Sequence, residues 1–268
     1  MISRRQLLRL CALAPLLRTA AGESSLYAQS LQAALARLNP GVELLLYDAP
    51  RSLVLASTFA DPALPIPVGS LLKPFLAFAY LSRAHHPELG TLCHGRQDLC
   101  WKPGGHGVLN LPDALAQSCN AYFLALAAAL SPDEITLPTR PPADATAADL
   151  IGLHPRWLLP PETLVAAYAR LLPQTTWPIL DGMRRSATEG TAQRIGNHPG
   201  GVLAKTGTAT CIPMPTPCQA SSDGLVFAAV PAQNPSLLLL VRRRATTGAT
   251  TALTAGLILN QLERLHAL

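Results

Sequence analysis

Residues 68–81 read VGSLLKPFLAFAYL, and the placing of Ser70 and Lys73 in that run decides the fold. Residues 58–69 are rich in proline and end in Gly69, while Ser70 to Ala84 is an apolar stretch that reads as a helix. Ser70 therefore stands at or just inside a helix N-terminus. Lys73 follows three residues later, nearly one helical turn on, so the two side chains share a face. A serine hydroxyl is a weak nucleophile and needs a neighbouring base. A lysine surrounded by Leu71, Leu72, Phe75 and Leu76 can be that base, because desolvation lowers its pKa. Backbone N–H groups at a helix N-terminus point to the same place and can receive an oxyanion.

The lysine census supports this reading. The chain has 18 arginines but only three lysines, Lys73, Lys102 and Lys205. Arginine stays charged at every relevant pH, whereas lysine can be desolvated and deprotonated. Lys205 opens the string Lys205-Thr206-Gly207-Thr208, and Ser118-Cys119-Asn120 lies between the two lysines in sequence.

Working outward, residues 24–38 show helical spacing of Leu26, Leu31, Leu35 and Leu38, stopped by Asn39-Pro40-Gly41. Val42 to Tyr47 and Ser52 to Ser57 read as strands joined by the hairpin signal Asp48-Ala49-Pro50-Arg51. Residues 85–110 look irregular, Leu111 to Leu130 reads as one apolar helix, and residues 131–147 read as a loop. Helices are predicted over Pro161 to Leu172 and Asp181 to Thr191. Strands follow over Gly201 to Thr208, Gly224 to Val230 and Ser236 to Val241, and Thr247 to Leu265 closes the chain as a helix. The fold class is α/β (α+β): an antiparallel sheet with strands from both ends of the chain, flanked by helices, with an all-α subdomain inserted. No internal repeat is present.

The formal charge of +5 is mostly a leader effect. Of 21 basic residues, Arg4, Arg5, Arg9 and Arg18 lie in the first 21 positions, leaving 17 against 16 acidic residues. That balance removes the case for nucleic acid as a partner. The run Arg242-Arg243-Arg244 reads as a solvated strand end. Residues 1–21 read as an export signal: Arg4 and Arg5, the apolar stretch Leu7 to Leu17, then Thr19-Ala20-Ala21 for cleavage. Ser3-Arg4-Arg5-Gln6-Leu7-Leu8 also resembles a twin-arginine signal. An uncleaved amphipathic anchor is the alternative. The expected location is the periplasm or cell envelope, with residues 22–268 forming one catalytic domain.

In an oxidising compartment two cysteine pairs, each seven residues apart, are candidate disulfides: Cys93–Cys100 and Cys211–Cys218. The rival is a zinc site, which favours tighter spacings and accompanying histidines. His94 and His106 lie near the first pair, and disulfides are the reading preferred, with no metal expected. Cys119 reads as a small buried residue. His106 and His154 read as structural or loop residues, and Trp101 as packing.

The three motifs Ser70-x-x-Lys73, Ser118-x-Asn120 and Lys205-Thr206-Gly207 occur once each, in the order found in penicillin-binding proteins and related β-lactamases. The chain resembles a penicillin-binding transpeptidase domain of class B-like type, within the SxxK serine acyltransferase and β-lactamase superfamily. The stretches Thr91 to Leu126 and Met183 to Thr210 extend that resemblance. It implies a serine D,D-transpeptidase or carboxypeptidase acting on peptidoglycan stem peptides, with β-lactams as inhibitors and cell-wall machinery as partners. It implies Ser70 as nucleophile and Lys73 as its base, with Ser118 and Lys205 relaying a proton to the leaving amine. It further implies that Asn120, Thr206, Gly207 and Thr208 bind substrate, that the N–H groups of Ser70 and Thr208 form the oxyanion hole, and that no cofactor is needed. Alternatives are a serine β-lactamase of class D-like size, or a β-lactam-binding sensor or scaffold without turnover. Glu162 and Glu189 are the mid-chain acids available to a class A-like deacylation.

Overall fold

The computed structural model describes residues 26–212 and 220–265; the expected export signal over residues 1–21 and Cys218 lie outside them. In chain order, α1 (residues 26–38) leads into a hairpin of β1 (Glu43–Asp48) and β2 (Leu53–Ser57), then β3 (Ile66–Pro67). A 3-10 turn, Gly69–Leu72, enters α2 (Lys73–Leu81). The hairpin β4 (Thr91–Cys93) and β5 (Gly107–Leu109) precedes α3 (Leu111–Ala116), α4 (Asn120–Ala128) and α5 (Ala147–Leu150). Then come β6 (Leu158–Leu159), α6 (Pro161–Leu171) and α7 (Trp177–Thr188). The last third holds β7 (Leu203–Thr210), β8 (Ser222–Val230), β9 (Leu237–Arg243) and α8 (Gly248–Arg264).

The main sheet is fully antiparallel in the order β2-β1-β9-β8-β7, which places strands from both ends of the chain side by side. Alternate residues feed two cores. Leu44 and Leu46 of β1, Val226 and Ala228 of β8, and Leu239 and Val241 of β9 pack with Leu35 of α1 and Ile258 and Leu259 of α8. Leu45, Leu225, Phe227, Leu238 and Leu240 face the other way, into the core of the inserted helical subdomain. Burial on both faces explains why β8 and β9 read as unbroken apolar runs rather than alternating ones. At the centre of the second core, Tyr168 of α6 stacks on Phe227 at 3.7 Å between ring centroids, and Phe75 of α2 leans on it at 4.6 Å. The Tyr168 hydroxyl donates to the Leu71 carbonyl at 2.7 Å, pinning the 3-10 turn beside Ser70.

Several expectations change. Leu111 to Leu130 is not one helix: α3 ends at Ala116, Ser118 takes a left-handed φ of 51°, and α4 restarts behind Cys119. The irregular stretch 85–110 contains the β4–β5 hairpin, and α7 begins four residues before the predicted Asp181. Arg242 is not a solvated strand end. It is buried, at 2.6 Å from Asp223 and 3.3 Å from Glu43, because its neighbours on β8 and β1 carry acids that compensate its burial. The Cys93–Cys100 disulfide is also incorrect: both are free thiols, held apart around His106 rather than joined. Cys211–Cys218 remains an expectation, since Cys218 falls outside the described residues. No helix among the described residues is long and apolar enough to cross a membrane.

Candidate active site

Ser70 is presented by the turn Gly69–Leu72, which is wedged against β7. Gly69 has φ +54°, and a Cβ there would stand 2.8 Å from the Thr208 carbonyl, so only glycine admits the approach. On β7, a Cβ on Gly207 would stand 2.7 Å from the Val68 carbonyl. Gly207 thus faces the turn that bears Ser70, and its missing side chain serves strand-to-turn packing; it is not part of the cleft lining. β7 is also an edge strand of the main sheet. Edge strands carry backbone groups that no neighbouring strand satisfies.

Lys73, Ser118, Asn120 and Lys205 converge in one hydrogen-bonded cluster. Lys73 Nζ donates to the Ser118 carbonyl and to Asn120 Oδ1, both at 2.7 Å, and lies 3.4 Å from Ser118 Oγ. Lys205 Nζ donates to the same Ser118 Oγ at 2.7 Å and to the Thr206 carbonyl at 2.8 Å. One hydroxyl therefore bridges two lysines. Both lysines are fully buried. Burial pushes Lys73 down from its ordinary value to about 7, against a smaller opposing effect of negative charge at Cys119 and Cys100. Lys205 is driven well below its ordinary value, first by burial and then by the Lys73 charge. Ser70 Oγ makes no hydrogen bond within the described residues, and it lines the cleft. Asn120 spends its amide internally, its Nδ2 donating to the Leu99 carbonyl at 2.7 Å. Thr206 and Thr208 hydroxyls are likewise engaged, on Thr191 at 2.6 Å and with the Gly248 N–H at 3.1 Å.

These groups open into a cleft of about 640 Å³ lined by Ser70, Ser118, Asn120, Thr206 and Thr208. The volume lies in the usual range for small-molecule sites. The cleft also receives Trp101, Glu189, Thr191, Gln193 and Arg194, which no motif singled out as lining residues. Trp101 is half exposed, and its Nε1 donates to the Gln117 carbonyl at 2.9 Å. Its place directly after Cys100, five residues before His106, was the available signal. Glu189 is ion-paired with Arg185. Glu162 does not line the cleft. Beside the cleft, Cys93, Cys100, His106 and Cys119 put four ligand-type atoms within 4.8 Å of one another, a group fit to hold a metal ion.

No protein-family model and no curated protein sequence matches the chain. Solved structures do. PBP2, a penicillin-binding protein from Helicobacter pylori, superposes with a TM-score of 0.70 at 16% identity over 90% of this chain. Its complex with MreC gives 0.69. The chain spans only 63% of the Helicobacter pylori chain. The transpeptidase domain of penicillin-binding protein 3 from Burkholderia pseudomallei gives 0.67 at 14% identity, covering 91% of this chain and 95% of that one. Pseudomonas aeruginosa PBP2 gives 0.65 at 16% identity over 92% and 75%. The chain has the α+β fold of penicillin-binding transpeptidase domains.

Proposed function

We propose that this protein is a penicillin-binding serine acyltransferase of the cell envelope, a D,D-transpeptidase or carboxypeptidase that forms an acyl-enzyme on Ser70. The observation that carries the reading is the hydrogen-bonded chain Lys73–Ser118–Lys205, buried and ending at a cleft that Ser70 enters. A neutral Lys73 amine has two N–H groups, and the Ser118 carbonyl and Asn120 Oδ1 occupy both. Its lone pair is left to take the Ser70 proton. Ser70 then adds to the carbonyl of a D-Ala–D-Ala bond or a β-lactam, and the N–H groups of Ser70 and Thr208 hold the oxyanion. Ser118, bridged to Lys205, passes its proton to the leaving amine and is reprotonated by Lys73, which carries the proton taken from Ser70 and lies 3.4 Å from its Oγ. A stem peptide lying along β7 gains main-chain hydrogen bonds from the strand edge. The Thr206 and Thr208 hydroxyls, beside Lys205, suit its terminal carboxylate.

The fold comparisons support envelope peptide chemistry and, through the MreC complex of the Helicobacter pylori protein, a place beside cell-wall machinery. Intact-mass measurement after incubation with a fluorescent penicillin tests the reading. One adduct per chain that persists, and that Ser70→Ala removes, is the expected result. Rapid turnover without an adduct would instead favour a β-lactamase. Absence of any adduct at saturating penicillin would sink the covalent mechanism.

A further inference from the structure

Cys93 ends β4, Cys100 follows the 3-10 turn Gly95–Asp98, His106 precedes β5, and Cys119 precedes α4. The chain thus brings three ligands on one hairpin to a fourth on the loop that carries Ser118 and Asn120. The three sulfurs are buried. His106 Nδ1 lies 3.6 Å from Cys93 Sγ and 3.5 Å from Cys100 Sγ, and the Cys100 and Cys119 sulfurs are 4.0 Å apart. Tetrahedral zinc, with Zn–S about 2.3 Å and Zn–N about 2.0–2.1 Å, needs ligand edges of about 3.6 Å for S···N and about 3.8 Å for S···S. The measured edges are close to that size. A disulfide would need its sulfurs at about 2 Å. Without a metal, His106 Nδ1 meets only sulfur. Three sulfurs and one imidazole select zinc over calcium or magnesium, which prefer oxygen.

We propose that Cys93, Cys100, His106 and Cys119 bind one zinc ion, and that its Cys119 ligand makes the ion a clamp on the catalytic Ser118–Asn120 loop. Ser118 sits at φ 51°, a strained backbone that persists only where its surroundings over-determine it. The hairpin already grips this loop at two other points, Asn120 Nδ2 on the Leu99 carbonyl and Trp101 Nε1 on the Gln117 carbonyl. A metal bond to Cys119, between them, completes the grip. Cys119 is thereby a positioning residue for the hydroxyl that bridges both lysines. The metal half of this inference stands alone; the positioning half rests on the acyl-transfer reading above.

The test uses the whole chain, purified under reducing conditions without chelator. Elemental analysis should find about one zinc per chain, and cobalt(II) exchanged into the site should show thiolate-to-metal charge transfer with tetrahedral d–d bands. Cys93→Ser and His106→Ala should each weaken zinc binding by about 10-fold or more. Stripping the zinc while the far-ultraviolet circular dichroism persists should slow acylation by a fluorescent penicillin about tenfold, and added zinc should restore it. Reduced wild-type protein that takes up neither zinc nor cobalt overturns the site, as does peptide mapping that finds Cys100 in a disulfide. Zinc that binds without affecting the acylation rate overturns the clamp and leaves the site. A protein that takes up zinc but never acylates refutes the acyl-transfer reading, and the clamp with it, while the metal site stands.

Discussion

Acylation of Ser70 should be switched on by pH through Lys73. The ε-amine is fully buried and its pKa is lowered to about 7. A general base must be unprotonated, so the rate follows the neutral fraction of Lys73. That fraction rises from about one-tenth at pH 6 to about nine-tenths at pH 8, roughly a tenfold gain in the acylation rate constant with a midpoint near 7. The same shift has a thermodynamic signature of definite sign. The folded pKa is depressed below the unfolded 10.5, so between about pH 7 and 10.5 the unfolded chain holds a proton that the folded one lacks. Stability from this group therefore rises with pH across that window, by about 1.4 kcal/mol per unit, and is smallest at and below pH 7. Lys73→Met removes the group. Although it strands the Ser118 carbonyl and Asn120 Oδ1, that loss is common to every pH, and the slope difference from wild type remains. Stopped-flow acylation with a fluorescent penicillin reads the first effect; urea melts of both proteins from pH 7 to 9 read the second. Lys73→Arg, which cannot deprotonate, should lose at least about 10²-fold in rate. A flat pH–rate profile together with parallel stability curves would refute Lys73 as the base.

Gly207→Ala places a methyl 2.7 Å from the Val68 carbonyl, so β7 and the Ser70 turn must part. It should cost about 1–3 kcal/mol and slow acylation together, and a melt and a rate that both match wild type would refute the packing role assigned to this glycine. Asp223→Ala strips the buried Arg242 of its nearer carboxylate, leaving Glu43 at 3.3 Å. Chemical denaturation should show a loss of about 3–5 kcal/mol, and a loss under about 1 kcal/mol would mean the guanidinium finds water instead. Tyr168→Phe leaves the Leu71 carbonyl without its 2.7 Å donor; a destabilisation of about 1–3 kcal/mol is expected by thermal melt, and no change would show that the turn beside Ser70 is held by packing alone.

The strands and terminal helices were legible because each carries its own periodicity and punctuation. Val42 to Tyr47, Gly224 to Val230 and Ser236 to Val241 each fall within two residues of an observed strand at both ends. The helical middle was less legible for a physical reason. Leu111 to Leu130 is apolar throughout, and nothing in that composition marks the left-handed turn at Ser118 that divides it. Only the motif flagged that serine, and a non-glycine residue forced to positive φ is the kind of local conflict that concentrates at functional sites. The β4–β5 hairpin was hidden because its strands are three residues each, too short for alternation to register.

The cysteines show how spacing misleads when the partner is distant in sequence. Two cysteines seven apart suit a loop disulfide where the compartment is oxidising, and the pattern gave no reason to add Cys119, nineteen residues beyond Cys100. Folding supplies the reason, because the 3-10 turn and hairpin curl Cys93 and Cys100 around His106 while the α3–α4 break delivers Cys119 to the same point. The break that strains Ser118 is thus the feature that creates both constellations. It turns Ser118 Oγ toward Lys73 and Lys205 and the next side chain, Cys119, toward the hairpin. A single left-handed residue couples the lysine pair to the sulfur cluster, so a change that straightens this turn must disturb both at once.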